Sequence, residues 1–558
     1  MPDTEKDIKS SETSRDFLSY PVWTPVALVI FGFLLRILAV SQQESVGVDS
    51  VRYLTFAQNY LSKILFSYGP TGLKEVPDLG FPLLIAIWVK FTGGDFEVVA
   101  RWISVLTGTF TLILIYLFAL RAAGHKPAIY ALLIGTACQP LITCSSLIQT
   151  ESLFIFLMSV SCYLSFAATR RGYNTFWFML GGITVAYAYL TRGIGITFLV
   201  IFPLAVWLVS KYDGAFRILT IQRKYFIGLS LFLVGFVIIA LPYQVMLSRV
   251  YDKFLLSDQS KWHSPRVLHP ERDFSPDPRY DGSLNADKSD YLINDPEFFK
   301  SDGFSGIAWT KAFLAKYLKN QVGIYYYHLR ELFSPLIMIL AGLGLFGGVW
   351  DRRFKTLMLL FGIWSVPFLV LQPMYYTEAR YISPLIVFAL VFAGRGFVVL
   401  IEWLVNTLPK YNPLHVERIS AVVLFLFLTP MMIYPLTHRG PKYSYPELRE
   451  AGNFLGSYFS KSDDKGVMAV LPITGYYAHA APNLVLPKGD IDSVVPFAMS
   501  KNIKYIVLEE RKVHILRPEL RELLYQSAEL GSVIDGLKLI FDNDDISGYK
   551  VRIFEIVD

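Results

Sequence analysis

The sequence has 558 residues, of which 53% are hydrophobic, 15% aromatic and only 18% charged, with a mean hydropathy of +0.42. A soluble chain would carry roughly 25% charged residues, so the composition argues against a water-soluble enzyme. The net charge of +6 sits in short clusters between long apolar blocks rather than on one basic face, which argues against a nucleic-acid partner and points to a polytopic membrane protein.

Residues 1–20 carry mixed charge and read as a disordered cytoplasmic tail. The first apolar block, Val22 to Val40, is long for a signal-peptide core and lacks a small-x-small cleavage site, so it is expected to remain as an anchor. Eleven spans are expected, at about 22–41, 98–120, 127–143, 148–168, 175–190, 193–210, 226–247, 333–350, 355–371, 381–402 and 418–436. The run Phe81 to Phe91 is too short to cross straight and is expected at the interface.

The short loops set the orientation. With the N-terminus inside, the inner loops hold Arg121 and Lys126; Arg170 and Arg171; Lys211, Arg217, Arg223 and Lys224; Arg352, Arg353 and Lys355; Lys410 and Arg418. The short outer turns hold only Arg192 and Arg380. Lys and Arg concentrate in cytoplasmic loops, so the tail is placed in the cytoplasm, the even connections inside and the odd ones outside.

The chain therefore divides into a transmembrane domain over 21–436, with outer loops 42–97 and 248–332, and an extracytoplasmic domain over 437–558. The second loop has Pro265, Pro270, Pro276 and Pro278 close together and a helical run from Gly306 to Leu318, which suggests an ordered lid. The last segment alternates strand-like runs (Val467 to Leu471, Lys504 to Leu508, Tyr549 to Ile556) with helix-like ones (Pro446 to Phe459, Pro518 to Gln526), the pattern of a small α/β domain.

Several letter patterns carry no chemistry. Gly342-x-Gly344-x-x-Gly347 spells a dinucleotide fingerprint, but it lies inside an apolar span with no strand before it, and close helix packing explains it better. The eight histidines show no paired zinc spacing, and there is no Walker A sequence. Cys138, Cys144 and Cys162 read as small apolar packing residues, with a Cys138–Cys144 disulfide as the alternative.

Ionisable groups at membrane depth are costly unless they face a cavity or a partner. Asp49 directly follows the first span, with Arg52 and Tyr53 one turn beyond it. Glu151 opens the fourth span, where the helix dipole alone would favour an acid. Arg192 occupies a tight turn, Leu190-Thr-Arg192-Gly193. Arg380 opens a late span beside Glu378 and Tyr381, and its planar fork suits a phosphate; an ion pair with Glu378 is the alternative. All four places map to the outer face. A cavity of carboxylates and guanidinium groups there fits a phosphate-linked lipid whose tail stays in the bilayer.

The acid after the first span, the Gly80-Phe-Pro82-Leu-Leu84 run, the Thr150-Glu151 pair, the Leu190-Thr-Arg192-Gly193 turn and the start Arg380-Tyr-x-x-Pro384 together resemble the GT-C glycosyltransferases. The nearest branch is that of the protein O-mannosyltransferases and the lipid A aminoarabinose transferase. The resemblance implies an inverting transferase that takes a hexose or pentose from a dolichyl- or undecaprenyl-phosphate donor in a membrane such as the bacterial inner membrane and passes it to a hydroxyl acceptor on a lipid, glycan or protein. It implies Asp49 as general base. Arg380, assisted by Arg192 and Arg52, would stabilise the leaving phosphate, with Tyr53, Glu151, Glu378 and Tyr381 lining the cavity. The family's acidic pair is reduced here to Asp49-Ser50, so no cofactor is assigned, and a divalent metal remains open. A polyprenyl-lipid flipping protein or a secondary transporter are the alternatives. The transporter would call for repeated halves and broken helices around a mid-membrane site.

Overall fold

A computed structural model describes residues 20–62, 67–68, 74–75, 78–170, 174–212, 219–252, 254–256, 307–374, 378–437, 444–459, 465–543 and 549–557. The N-terminal tail and the prolines of the second outer loop lie outside these residues.

The first half is a run of helices: α1 (Thr24–Ser41), α2 (Val48–Leu61), α3 (Gly80–Thr92), α4 (Phe96–Ala123), α5 (His125–Ala137), α6 (Gln139–Ser146), α7 (Thr150–Arg170), α8 (Thr175–Thr191), α9 (Phe198–Tyr212) and α10 (Leu219–Tyr251). Among the described residues, eight helices are long and apolar enough to cross a bilayer, and two bent pairs meet the same test as units. Adding α8, an apolar helix of 17 residues, places a helix under each of the eleven spans expected from the sequence.

Local chemistry sets the helix ends. Asp95 accepts from the backbone N–H of Glu97 at 2.9 Å and of Val98 at 3.1 Å, capping α4. Gly124, at φ +93°, ends it. Gly108 of α4 packs so closely on α6 that a Cβ there would lie 1.9 Å from Ser145 Oγ, the close approach that small residues allow between membrane helices.

Two expected spans are not straight. The span at 127–143 is broken between α5 and α6, with a 54° bend. Pro140 stands at the second position of α6, where it has no N–H to continue the ladder of α5. The span at 333–350 is shorter than expected, a helix over Pro335–Phe346 that turns by 107° from Trp309–Leu332. Ser334 accepts from Ile337 N–H at 3.3 Å, and Pro335 follows it, a start signal that outweighs apolar continuity. Two glycines of the dinucleotide-like run pack closely, since a Cβ on Gly344 would lie 1.9 Å from Phe392 O and one on Gly347 3.0 Å from Val399 Cγ1, while Gly342 meets nothing within 4 Å; on the facing helix, a Cβ on Gly396 would lie 1.8 Å from Leu340 O. All three cysteines are free thiols, and Cys138 and Cys162 are buried.

The C-terminal segment forms a six-stranded mixed sheet of β3 (Val467–Ala469), β4 (Asn483–Val485), β5 (Tyr505–Glu509), β6 (Val533–Ile534), β7 (Leu537–Asp542) and β8 (Val551–Ile556), in the order β4-β3-β5-β8-β7-β6. A two-stranded ribbon, β1 (Ser67–Tyr68) with β2 (Lys74–Glu75), precedes α3. Strand β3 pairs parallel with β4 and β5, and the remaining pairs are antiparallel. Side chains alternate across the sheet. Val467, Ala469, Tyr505 and Val507 pack in one cluster with Leu448, Leu455 and Phe459 of the helix Pro446–Phe459. Met468, Ile506, Leu508 and Phe554 pack in another with Val494 and Phe497 of the helix Ile491–Ser500. Both faces are covered, as parallel pairing requires.

The sheet is tied to the helical bundle at the connection between α1 and α2. Tyr445 N–H donates to Ser45 Oγ at 2.5 Å, Arg449 Nη1 donates to Glu44 O at 2.5 Å, and Val46 N–H donates to Tyr477 Oη at 2.9 Å.

Candidate active site

Four chain breaks converge beside that connection. Gly47 is extended and leads into α2, which places Asp49 in its first turn, where the helix dipole favours a carboxylate. Ser50 Oγ donates to Ile148 O at 2.9 Å and seats α2 on the segment that opens α7. Glu151 occupies the first turn of α7 and is buried. Arg192 follows α8 in an extended conformation, its N–H bonded to Ala188 O at 2.9 Å. The turn after it needs glycine, because a Cβ at Gly195 would lie 2.5 Å from Ala188 C and Tyr189 N. Arg380 and Tyr381 lie on the one-turn helix Ala379–Ile382, which Ser383 closes by donating to Arg380 O at 2.7 Å.

The two arginines bind the three acids in two linked groups. Arg380 Nη1 donates to Asp49 Oδ2 at 2.7 Å, and its Nε lies 2.5 Å from Glu378 Oε2. The ion pair with Glu378 posed in the sequence is therefore present, and Arg380 also reaches the acid of the first loop, a contact not foreseen there. Arg192 Nη1 lies 3.2 Å from Glu151 Oε1, and this carboxylate is 3% exposed. The aromatic ring of Tyr381 joins the pairs. The Arg192 guanidinium sits 4.7 Å from its centroid and the Arg380 guanidinium 5.2 Å, within cation–π range.

Tyr53 is inside this group. Its ring meets Phe81 of α3 edge to face, with centroids 5.8 Å apart. Burial pushes its phenol up, and the charges of Asp49 and then Glu151 push it further. Arg52 lies beside it, with the guanidinium 5.8 Å from the Phe56 centroid. The Gly80 run fixes α3 against α8: Tyr187 Oη donates to Gly80 O at 2.7 Å, and a Cβ on Gly80 would lie 2.3 Å from Thr191 Oγ1.

The Asp49–Arg380 pair is about a quarter exposed on each side, whereas Glu151–Arg192 is enclosed. The first pair can meet a ligand; the second holds it from behind. A paired carboxylate and guanidinium form charge-assisted bonds of fixed geometry, so the groups at the open edge are held in place.

Sequence reading missed two charges. Arg36, in α1, is fully buried, and its Nη1 donates to Gly32 O at 2.9 Å. The rule that flagged the other arginines covers this one, since it interrupts an apolar span. Asp78 is buried just ahead of α3.

The family model of dolichyl-phosphate-mannose-protein mannosyltransferases matches residues 76–241, a window that holds Glu151 and Arg192 but not Asp49 or Arg380. Among solved structures, the chain is similar to ArnT from Cupriavidus metallidurans bound to undecaprenyl phosphate, at a TM-score of 0.53 and 13% identity, over 95% of this chain and 98% of that one. The chain has the GT-C glycosyltransferase fold. The same GT-C architecture relates it to the oligosaccharyltransferase of Archaeoglobus fulgidus in complex with Zn and sulfate, at a TM-score of 0.59 and 12% identity, over 88% of this chain and 69% of that one. It also relates it to AglB from Archaeoglobus fulgidus in complex with an inhibitory peptide and a dolichol-phosphate, at a TM-score of 0.50 and 10% identity over the same shares. No curated protein matches by sequence.

Among the described residues, no three His, Cys, Asp or Glu side chains are grouped as metal ligands. The acids of this GT-C site are divided between guanidinium partners, Asp49 and Glu378 on Arg380 and Glu151 on Arg192. That donor set does not fit a divalent ion, which takes several oxygen ligands at once.

Proposed function

We propose that the protein is an inverting glycosyltransferase that moves a hexose or pentose from a polyprenyl-phosphate donor to a hydroxyl acceptor at the extracytoplasmic face. The observation that carries this reading is the Arg380–Asp49 contact at 2.7 Å, an acid and a phosphate-binding group held together at the open edge of a GT-C site. The resemblance to ArnT bound to undecaprenyl phosphate and to AglB in complex with dolichol-phosphate supports the donor class. The positive residues of the short loops support a cytoplasmic N-terminus, with Asp49, Arg192 and Arg380 on the far side. A bacterial inner membrane fits this layout.

In the proposed mechanism, Arg380 exchanges partners. The donor phosphate competes with Asp49 for the guanidinium and displaces Oδ2, because Arg binds phosphate and carboxylate through the same fork. The released carboxylate then takes the proton of the acceptor hydroxyl as its oxygen attacks the anomeric carbon, a role typically worth about 10²–10⁴-fold. The bond from anomeric carbon to phosphate oxygen breaks on the opposite face, and the growing phosphate charge is met by Arg380, with Arg192 and Arg52 assisting. Glu378 keeps Arg380 in place through the exchange.

The helix that begins at Arg380, Ala379–Thr407, also borders an apolar groove of about 490 Å³ that includes Leu340, Phe397, Leu404 and Phe427. The test is transfer of radiolabelled sugar from a lipid donor by the purified chain and its Asp49→Asn variant. Full activity in the variant removes Asp49 as base, and no transfer by the unaltered chain with any polyprenyl-phosphate sugar removes the reading.

A further inference from the structure

A second polar cavity lies in the C-terminal part, about 660 Å³ in volume, bordered by Tyr445, Arg511, Lys512, Arg521, Tyr525 and Tyr549. Its charges divide into those already used and those left for a ligand. Arg511 is bound internally: its Nε lies 2.8 Å from Glu447 Oε1, and its Nη1 donates to Ser444 O at 3.0 Å. Its guanidinium stands between two rings, 4.9 Å from the Tyr445 centroid and 4.2 Å from that of Tyr549. Arg511 is thus a post that fixes both tyrosines. Glu510 is also spent, accepting from Tyr525 Oη at 2.8 Å and from Lys550 N–H at 2.8 Å.

Lys512 and Arg521 remain. Among the described residues, no ion pair engages either of them. The cavity therefore offers two cations outside any ion pair, Arg521 with its guanidinium 5.9 Å from the Tyr525 centroid, and two well-exposed rings, Tyr525 and Tyr549, beside the buried Tyr445. Rings of this kind take the C–H face of a sugar and donate from their hydroxyls, while ammonium and guanidinium groups hold a carboxylate or phosphate.

The cavity adjoins the candidate active site. Tyr445 borders it, donates its N–H to Ser45 Oγ, and has a phenol pushed up to about 12 by burial, with Glu509, Glu447 and Asp49 adding to the rise. Asp49 follows Ser45 by four residues. Tyr445 thus links the wall of the cavity to the connection that leads to the acid.

We propose that this cavity is the acceptor subsite and that it binds an anionic saccharide, with Lys512 and Arg521 on its acidic groups and Tyr525 and Tyr549 on its rings. The proposal rests on the transferase reading for the word acceptor, and on the cavity alone for the ligand class.

The test uses the full chain in detergent and follows binding of tri-galacturonic acid and of its neutral methyl ester by calorimetry. The acid should bind saturably and weaken with salt, and the ester should bind at least about tenfold more weakly. Lys512→Gln with Arg521→Gln should reduce binding of the acid about tenfold or more and leave the ester unchanged. Tyr549→Ala should weaken both. Undecaprenyl phosphate binding should be unaffected in both variants. Equal binding of acid and ester, unchanged binding in the double variant, or no saturable binding of the acid at millimolar concentration each overturns the proposal. So does capture by phosphatidylglycerol vesicles through Lys512 and Arg521 without saccharide binding, which makes the surface a membrane contact. Failure of the transferase reading shows separately, as no sugar transfer by the unaltered chain from any polyprenyl-phosphate sugar.

Discussion

Arg380 and Asp49 are 331 residues apart in the chain and meet at 2.7 Å. Every part of the proposed chemistry depends on that contact being exchangeable. A donor phosphate that takes the guanidinium must at the same time free the carboxylate, so binding of the first substrate arms the base for the second.

Replacement of Asp49 by Asn should lower sugar transfer by about 10²–10⁴-fold. Binding of undecaprenyl phosphate should persist or tighten, because the lipid no longer competes with a carboxylate for Arg380. Transfer assays and lipid binding on the same preparation check both outcomes.

Replacement of Arg380 acts on the other substrate. Arg380→Ala should weaken undecaprenyl phosphate binding by about 2–4 kcal/mol, the range for breaking a charge-assisted pair. Arg380→Lys should recover only part of it, since an ammonium lacks the planar fork. A Lys variant as tight as the unaltered chain would show that charge alone matters at this position.

The buried pair behind the site should respond as a unit. Arg192→Ala leaves Glu151 enclosed without its cation and should cost about 3–5 kcal/mol of stability. Arg192→Met together with Glu151→Met should cost much less, because neither charge then remains. Thermal unfolding of the two variants in detergent measures the difference. Equal losses would place the stability of this region in packing rather than in charge.

In the C-terminal sheet, Glu509 is buried and its carboxyl is pushed up to about 8, chiefly by desolvation and against a backbone hydrogen bond from Lys512. Between about 4.5 and 8 the folded chain keeps a proton on Glu509 that the unfolded chain has lost. Stability should therefore fall as pH rises through that window and level off above it. Glu509→Gln, which keeps the acceptor for Lys512 N–H, should remove this slope. Melting temperatures from pH 5 to 9, compared between the two proteins, give the test.

Helix contact through glycine gives a further prediction. A side chain at Gly396 would meet Leu340 O at 1.8 Å, so Gly396→Leu must part the helices Pro335–Phe346 and Ile386–Thr407. The expected loss is at least about 1–3 kcal/mol. Gly342→Leu should be neutral, because a Cβ there meets nothing within 4 Å.

The spans and the strands β3, β5 and β8 were legible because long apolar blocks and alternating runs carry their own signal. Strands β4 and β6, of three and two residues, are too short to show a period. The membership of the site was legible from charge placed where the bilayer disfavours it, and Asp49, Glu151, Arg192 and Arg380 do converge. The pairing within it was not. Arg380 takes Asp49 as well as the neighbouring Glu378, and Arg192 takes Glu151, choices set by how α7, α8 and the helix Ala379–Ile382 meet in space. Arg36 carried the same signal as the others. The α5–α6 break was also written locally, in Pro140.

The bond from Tyr445 to Ser45 Oγ has one more consequence. It clamps the entrance of the last folded unit onto the strap that positions Asp49, so the acid is held from both ends of the chain. Cleavage after Thr437 would leave every membrane helix in place yet unmoor the strap. Such a truncated chain should still insert into the bilayer and take up lipid while losing turnover, its base adrift by more than the reach of one hydrogen bond.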